Sequence, residues 1–149
     1  MRRFHFSLLL ATVLGVAILT GCRAGEPWVE MGGERFYVEV AADDTSRARG
    51  LMFRDHLPAN EGMLFVWRRE EPRAFWMRNT RIPLDIIYLD AEFRIVSMAL
   101  NARPCRVRNC PSYPSNAPAQ YVLEVNGGTA ERLGVERGDQ LRAGNLPAH

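Results

Sequence analysis

Asp85 sits in the run Leu84-Asp85-Ile86-Ile87-Tyr88-Leu89, and four hydrogen-bonding side chains, Arg78, Asn79, Thr80 and Arg81, come just before it. A strand alternates its side chains between two faces. Leu84, Ile86 and Tyr88 then share one face and Asp85, Ile87 and Leu89 the other. Both faces are apolar, which predicts a central strand with an acid pointing into the core. A buried carboxylate without partners is strongly destabilising or takes up a proton. Arginine forks with amide and hydroxyl donors would satisfy it. The donors within reach are Arg78, Asn79, Thr80 and Arg81, with Arg49 and Arg54 arriving from an earlier helix. Two outcomes are open. The groups form a closed network that pins one strand register, or they line a pocket facing a polar ligand, an anion among the options. The ligand-binding candidates are Arg49, Arg54, Trp76, Asn79, Thr80, Asp85 and Tyr113, with Trp76 or Tyr113 as an aromatic wall.

Catalytic chemistry finds few parts. Beyond the N-terminal segment the histidines are His56 and the terminal His149. There is no Gly-x-Ser-x-Gly elbow, no His-Glu-x-x-His pair and no glycine-rich phosphate loop. Asp85 and Asp90 fall on opposite faces of one strand and would not converge as a glycosidase pair. Met52, Met63, Met77 and Met98 accompany Trp76, and thioethers bind Cu(I), but methionine also fills irregular cores. No metal or cofactor is assigned. The expectation is a non-catalytic ligand- or partner-binding domain. A hydrolase using carboxylate chemistry and a purely structural or assembly role are the alternatives.

The elements that would position these residues are short and mostly extended. Trp28 to Ala41 reads as a hairpin turned at Gly32-Gly33, with Phe36, Val38 and Val40 on one face. Asp44 or Thr45 can cap a helix that carries Ala48, Leu51 and Met52 on one side. Strands are expected at Met63–Trp67, across "AFWMRN", at "PLDIIYLD", "FRIVSMAL" and "YVLEV", and at "GDQLRA". "RREEPR" reads as a charged connection, "NARPCRVRNCPSYPSNAPAQ" as a long proline-rich loop, and "GGTAERLG" as a short helix. Short turns between successive strands predict a mainly β protein, an antiparallel barrel or sandwich with one or two short helices.

The first residues stand apart. "MRR" is followed by an apolar run from Phe6 to Leu19, shorter than the roughly 20 residues of a spanning helix. Leu19, Thr20, Gly21 and Cys22 match a lipobox, and the segment resembles a bacterial lipoprotein signal. The resemblance implies cleavage before Cys22, a diacylglyceryl group on its sulfur and attachment to a membrane of the cell envelope, facing the periplasm. Arg23 stands where an aspartate marks inner-membrane retention in some bacteria, which favours the outer membrane. The layout is residues 1–21 as signal, 22–27 as a short tether and 28–146 as one β-rich domain. Without Arg2 and Arg3 the chain carries 17 arginines against 17 acids and is formally neutral. No basic block or zinc-finger spacing suggests nucleic acid. Cys105 and Cys110 remain as an even pair, which in an exported protein suggests a disulfide staple, with two free thiols, a metal clip or a redox pair as the alternatives.

"SRARGLMFRDHLPANEGMLFVW", "FWMRNTRIPLDIIYLD" and "YVLEVNGGTAERLGVERGDQL" resemble, in order and spacing, the bacterial family known as domain of unknown function 192. The resemblance runs from about Trp28 to Arg142. It implies a compact, mostly β, exported or membrane-attached domain, and no activity. The family commonly has a single cysteine before Pro-x-Tyr, here Cys110, so Cys105 is an addition.

Overall fold

The computed structural model describes Arg23 and residues 25–148; the expected signal segment and lipidation site Cys22 lie outside the described residues. Strand β1 (Trp28–Met31) turns through Gly32-Gly33 into β2 (Glu34–Ala41). Both glycines have positive φ, 58° and 82°, as a two-residue hairpin turn requires. Helix α1 (Asp44–Arg49) leads to β3 (Glu61–Trp76), followed by β4 (Leu84–Leu89), β5 (Ile95–Ala102), β6 (Ser112–Asn126), helix α2 (Thr129–Leu133) and β7 (Arg142–Gly144).

The seven strands form one sheet in the order β5-β4-β6-β3-β2-β1-β7. Only β2 and β3, linked through α1, run parallel; the other pairs are antiparallel. The ladders do not close into a barrel. A bridge between Arg94 and Gln140 and bonds such as Ile95 N–H to the Asp139 carbonyl (2.8 Å) draw the two ends together. The fold is mainly β and sandwich-like, with two short helices.

The sheet separates two cores. One holds Val29, Phe36, Leu64, Ile87, Leu89, Leu123 and Val125. The other holds Leu51, Met63, Phe65, Met77, Leu84, Ile86, Tyr88 and Val122. The alternation expected in β4 is therefore present, with Leu84, Ile86 and Tyr88 on one side and Ile87 and Leu89 on the other. Met63 and Met77 pack in the second core, while Met98 packs against the first.

Four local expectations are corrected. Asp43, one residue earlier than expected, caps α1: its carboxylate accepts from the Ser46 N–H (2.9 Å), and the Ser46 hydroxyl accepts from the Asp43 N–H. Gly50 ends that helix before Leu51 and Met52. "RREEPR" is no turn; it continues β3. Residues 112–120 of the proline-rich stretch form the first part of β6, pairing Pro72 with Pro118 and Ala74 with Pro114; residues 103–111 remain a loop. Proline removes a ladder donor and is tolerated at bulges, and the register shifts on both sides of this segment. Buried Ser115 supplies what the prolines cannot. Its hydroxyl accepts from the Arg73 N–H (3.0 Å) and donates to the Ala117 carbonyl (2.5 Å).

Cys105 and Cys110 are joined, with Cα atoms 5.8 Å apart, and close the loop between β5 and β6. The Cys105 backbone bonds to Met77 and Asn79, so the loop is fixed to the segment after β3. Replacing both cysteines by serine is expected to lower stability by about 2 kcal/mol, the chain-entropy value for so short a loop. Urea unfolding of the pair variant against wild type measures it.

Candidate functional site

Asp85 is fully buried, but its partners are not the arginines and amides expected. Its Oδ1 accepts from the N–H groups of Asn101 (2.7 Å) and Gly128 (3.1 Å), and its Oδ2 from that of Ala130 (2.8 Å). All three donors are backbone amides. Two of them belong to the start of α2, whose N-cap residue is Gly128 and has no capping side chain of its own. The carboxylate of β4 caps this helix from across the fold and ties in the end of β5. Backbone N–H groups at a helix start lack intrahelical acceptors, which is why they compete for the acid. Asp85 forms a closed structural network, both of its oxygens being taken up by backbone amides.

The arginines expected beside it are engaged elsewhere. Arg54 forms a two-pronged pair with Glu39 (2.5 and 2.6 Å). Arg81 pairs with Asp55 (2.9 Å), and Arg78 lies over the Trp76 ring at 5.4 Å. Asn79 borders a groove with Phe53, Arg81 and Arg106. Tyr113 packs against the second core, and its carbonyl accepts from the Tyr88 hydroxyl. Of the seven candidates the structure brings Arg49, Trp76 and Thr80 to one cavity.

That cavity, of about 310 Å³, lies between α1, the loop after it, β3 and β6. Alternation along β3 sends Phe65, Trp67 and Phe75 into its wall. Phe65 and Phe75 meet edge to face with centroids 4.8 Å apart, and Trp67 lies 6.4 Å from Phe65 and 6.3 Å from Phe75. Trp76, half exposed, and Arg49 stand at the mouth. Arg47 is held by Asp44 (2.5 Å) and by the Val66 carbonyl (2.9 Å) and flanks Trp67. Arg49 makes no ion pair among the described residues, so it is the free cation of this rim.

The floor carries a residue that sequence reasoning missed. Glu124 of β6 is 4% exposed and lines the cavity. It sits mid-sheet, opposite Met63 of β3 and Ile86 of β4. β3 approaches closely here because residue 62 is glycine; a Cβ there would lie 2.6 Å from the Glu124 carbonyl. Among the described residues no charge or hydrogen bond compensates the Glu124 carboxyl, and burial pushes it up to about 8. Burial, with the Glu124 charge second, also raises the Tyr88 phenol. The signal was present in "YVLEV", an acid inside an apolar strand, the same pattern as Asp85. At neutral pH the Glu124 carboxyl is largely protonated and can both donate and accept a hydrogen bond.

A family model for DUF192, described as an uncharacterised conserved region, matches residues 28–143. The chain belongs to the DUF192 family. Two solved DUF192-like structures share the fold. A protein of unknown function from Novosphingobium aromaticivorans DSM 12444 is 39% identical with a TM-score of 0.71, over 78% of this chain and 83% of its own. A Sinorhizobium meliloti 1021 protein, provisionally described as a transcription regulator, is 34% identical with a TM-score of 0.72, over 81% and 94%. No curated protein matches the chain. The family and fold are thereby established for this DUF192 domain.

Proposed function

We propose that this protein is a lipid-anchored component of the cell envelope, and that its domain binds a small ligand in the α1–β3–β6 cavity without transforming it. The lipobox ending at Cys22 and the paired Cys105 and Cys110 support the exported, anchored part. The observation that carries the binding part is Glu124, a carboxyl-bearing residue only 4% exposed that lines an aromatic-walled cavity and makes no side-chain hydrogen bond or ion pair among the described residues. Its oxygens meet solvent only through that cavity, and a ligand donor there would take the place of water. Small-molecule sites are concave and mostly apolar with few, well-placed polar groups. The ligand class that fits is compact and ring-bearing, with a hydroxyl, amide or amine for Glu124 and an anionic group for Arg49. A raised acid also suits general acid catalysis, which favours a hydrolase as the second reading. That reading needs a second group in the cavity, and Asp44 at its mouth is tied to Arg47.

The binding reading is tested by thermal shift with aromatic amino acids, hydroxylated aromatic acids and monosaccharides. At least one class should raise the melting temperature of wild type in proportion to the logarithm of its concentration. Ala48→Trp, which fills the mouth, and Glu124→Leu should abolish that rise. A rise that survives both changes, or none with any class, would overturn it. Anchoring is tested separately: Cys22→Ala should end the protein's labelling by palmitate.

A further inference from the structure

We propose that the surface formed by residues 53–55, 76–81 and 103–110 docks on an anionic lipid surface. These segments are laced together. Phe53 N–H donates to the Asn79 carbonyl (2.8 Å), and Asn79 N–H to the Cys105 carbonyl (3.0 Å). Three of the largest exposed apolar side chains of the described residues project from this end: Phe53 at 55%, Trp76 at 50% and Val107 at 65% exposure. Phe53 holds a φ of 64°, an outlier for a bulky residue, and its ring gains no core burial in return.

The same surface concentrates charge in an otherwise balanced chain. Arg78, Arg81, Arg103, Arg106 and Arg108 are all exposed, against one carboxylate, Asp55, which pairs with Arg81. Arg81 and Arg78 lie over the rings of Phe53 and Trp76 at 5.8 and 5.4 Å. Cations around apolar side chains of this kind suit a bilayer interface, where rings and aliphatic tips enter the headgroup layer and arginines meet phosphates. A soluble polyanion would use the arginines and leave Phe53 and Val107 without a role. The N-terminal entry lies near this end: Arg23 bonds to Glu61 (2.9 Å) and shares a groove with Glu39, which pairs with Arg54, the neighbour of Phe53.

The test uses the chain from Arg23 to His149, so it does not depend on the lipid at Cys22. Every described element and both cores lie within it, and crystallised relatives match about this span. It should co-sediment with phosphatidylglycerol vesicles and not with phosphatidylcholine. Affinity should fall about fivefold per arginine removed, hence roughly a hundredfold for R78S/R106S/R108S. It should also fall in F53N/V107S, where asparagine suits the positive φ. The control R35S/R132S/R142S, on other surfaces, should bind as wild type. Melting curves verify that each variant folds. No binding to phosphatidylglycerol, or equal loss in the control, would overturn the proposal. Retention on soluble polyphosphate that persists in F53N/V107S, without vesicle binding, would replace it with a polyanion site.

Discussion

Asp85→Ala is expected to destabilise the domain by about 4 kcal/mol or more. The change strips the acceptor from three backbone N–H groups in a dry interior, and hydrogen bonds to a charged group contribute roughly 1.5–3 kcal/mol each. Domain stability totals only about 5–15 kcal/mol, so the variant should be largely unfolded at temperatures wild type withstands. Asp85→Asn should do roughly half the damage. It keeps one oxygen for Asn101 and Gly128 and turns an amide N–H toward the Ala130 donor. Arg54→Ala should change stability by less than about 1 kcal/mol, because its pair with Glu39 is solvent-exposed. Urea midpoints of the three variants measure this. An Asp85→Ala protein with a wild-type midpoint would refute the role assigned to the carboxylate.

The second large effect is one of pH. The Glu124 carboxyl rises from an ordinary 4.5 to about 8 in the folded protein. Between those values the folded state holds a proton that the unfolded state has lost, so stability falls as pH rises through this window and levels off above it. The cost to wild type over the window is on the order of 4 kcal/mol. Glu124→Gln has no such proton. The stability of Glu124→Gln relative to wild type should therefore increase from pH 5 to pH 9, and taking that difference cancels the contribution of the other acids. A difference flat across the window would mean that the Glu124 carboxyl is not raised and is ionised at neutral pH in the folded protein. A ligand amine bound at Glu124 would pull the carboxyl back down and release a proton on binding.

These two acids show where reading the chain stopped. Both occupy apolar strands, and strand alternation is enough to say that each points inward. Their fates differ because of what lies opposite. Asp85 meets the start of α2, whose unpaired amides consume it. Glu124 meets the cavity lined by α1, the loop after it and β3. The arginines looked like the natural partners for Asp85 because side-chain donors are visible in a sequence. Backbone amides occur at every non-proline residue, and nothing local marks which will be left without an acceptor.

The amino-acid order alone determined the β character, the Gly32-Gly33 hairpin, the two faces of β4, the short helix before β7, the family and the burial of Asp85. Each follows from periodicity, turn chemistry or motif spacing within a short stretch of chain. Tertiary structure decided the rest: that β3 runs unbroken through "RREEPR", that prolines join β6 at bulges, that backbone amides satisfy Asp85, and that Glu124 is left facing a cavity. Those outcomes depend on which segments meet across tens of residues. A partner supplied by the fold, rather than by neighbours in the chain, leaves no local trace.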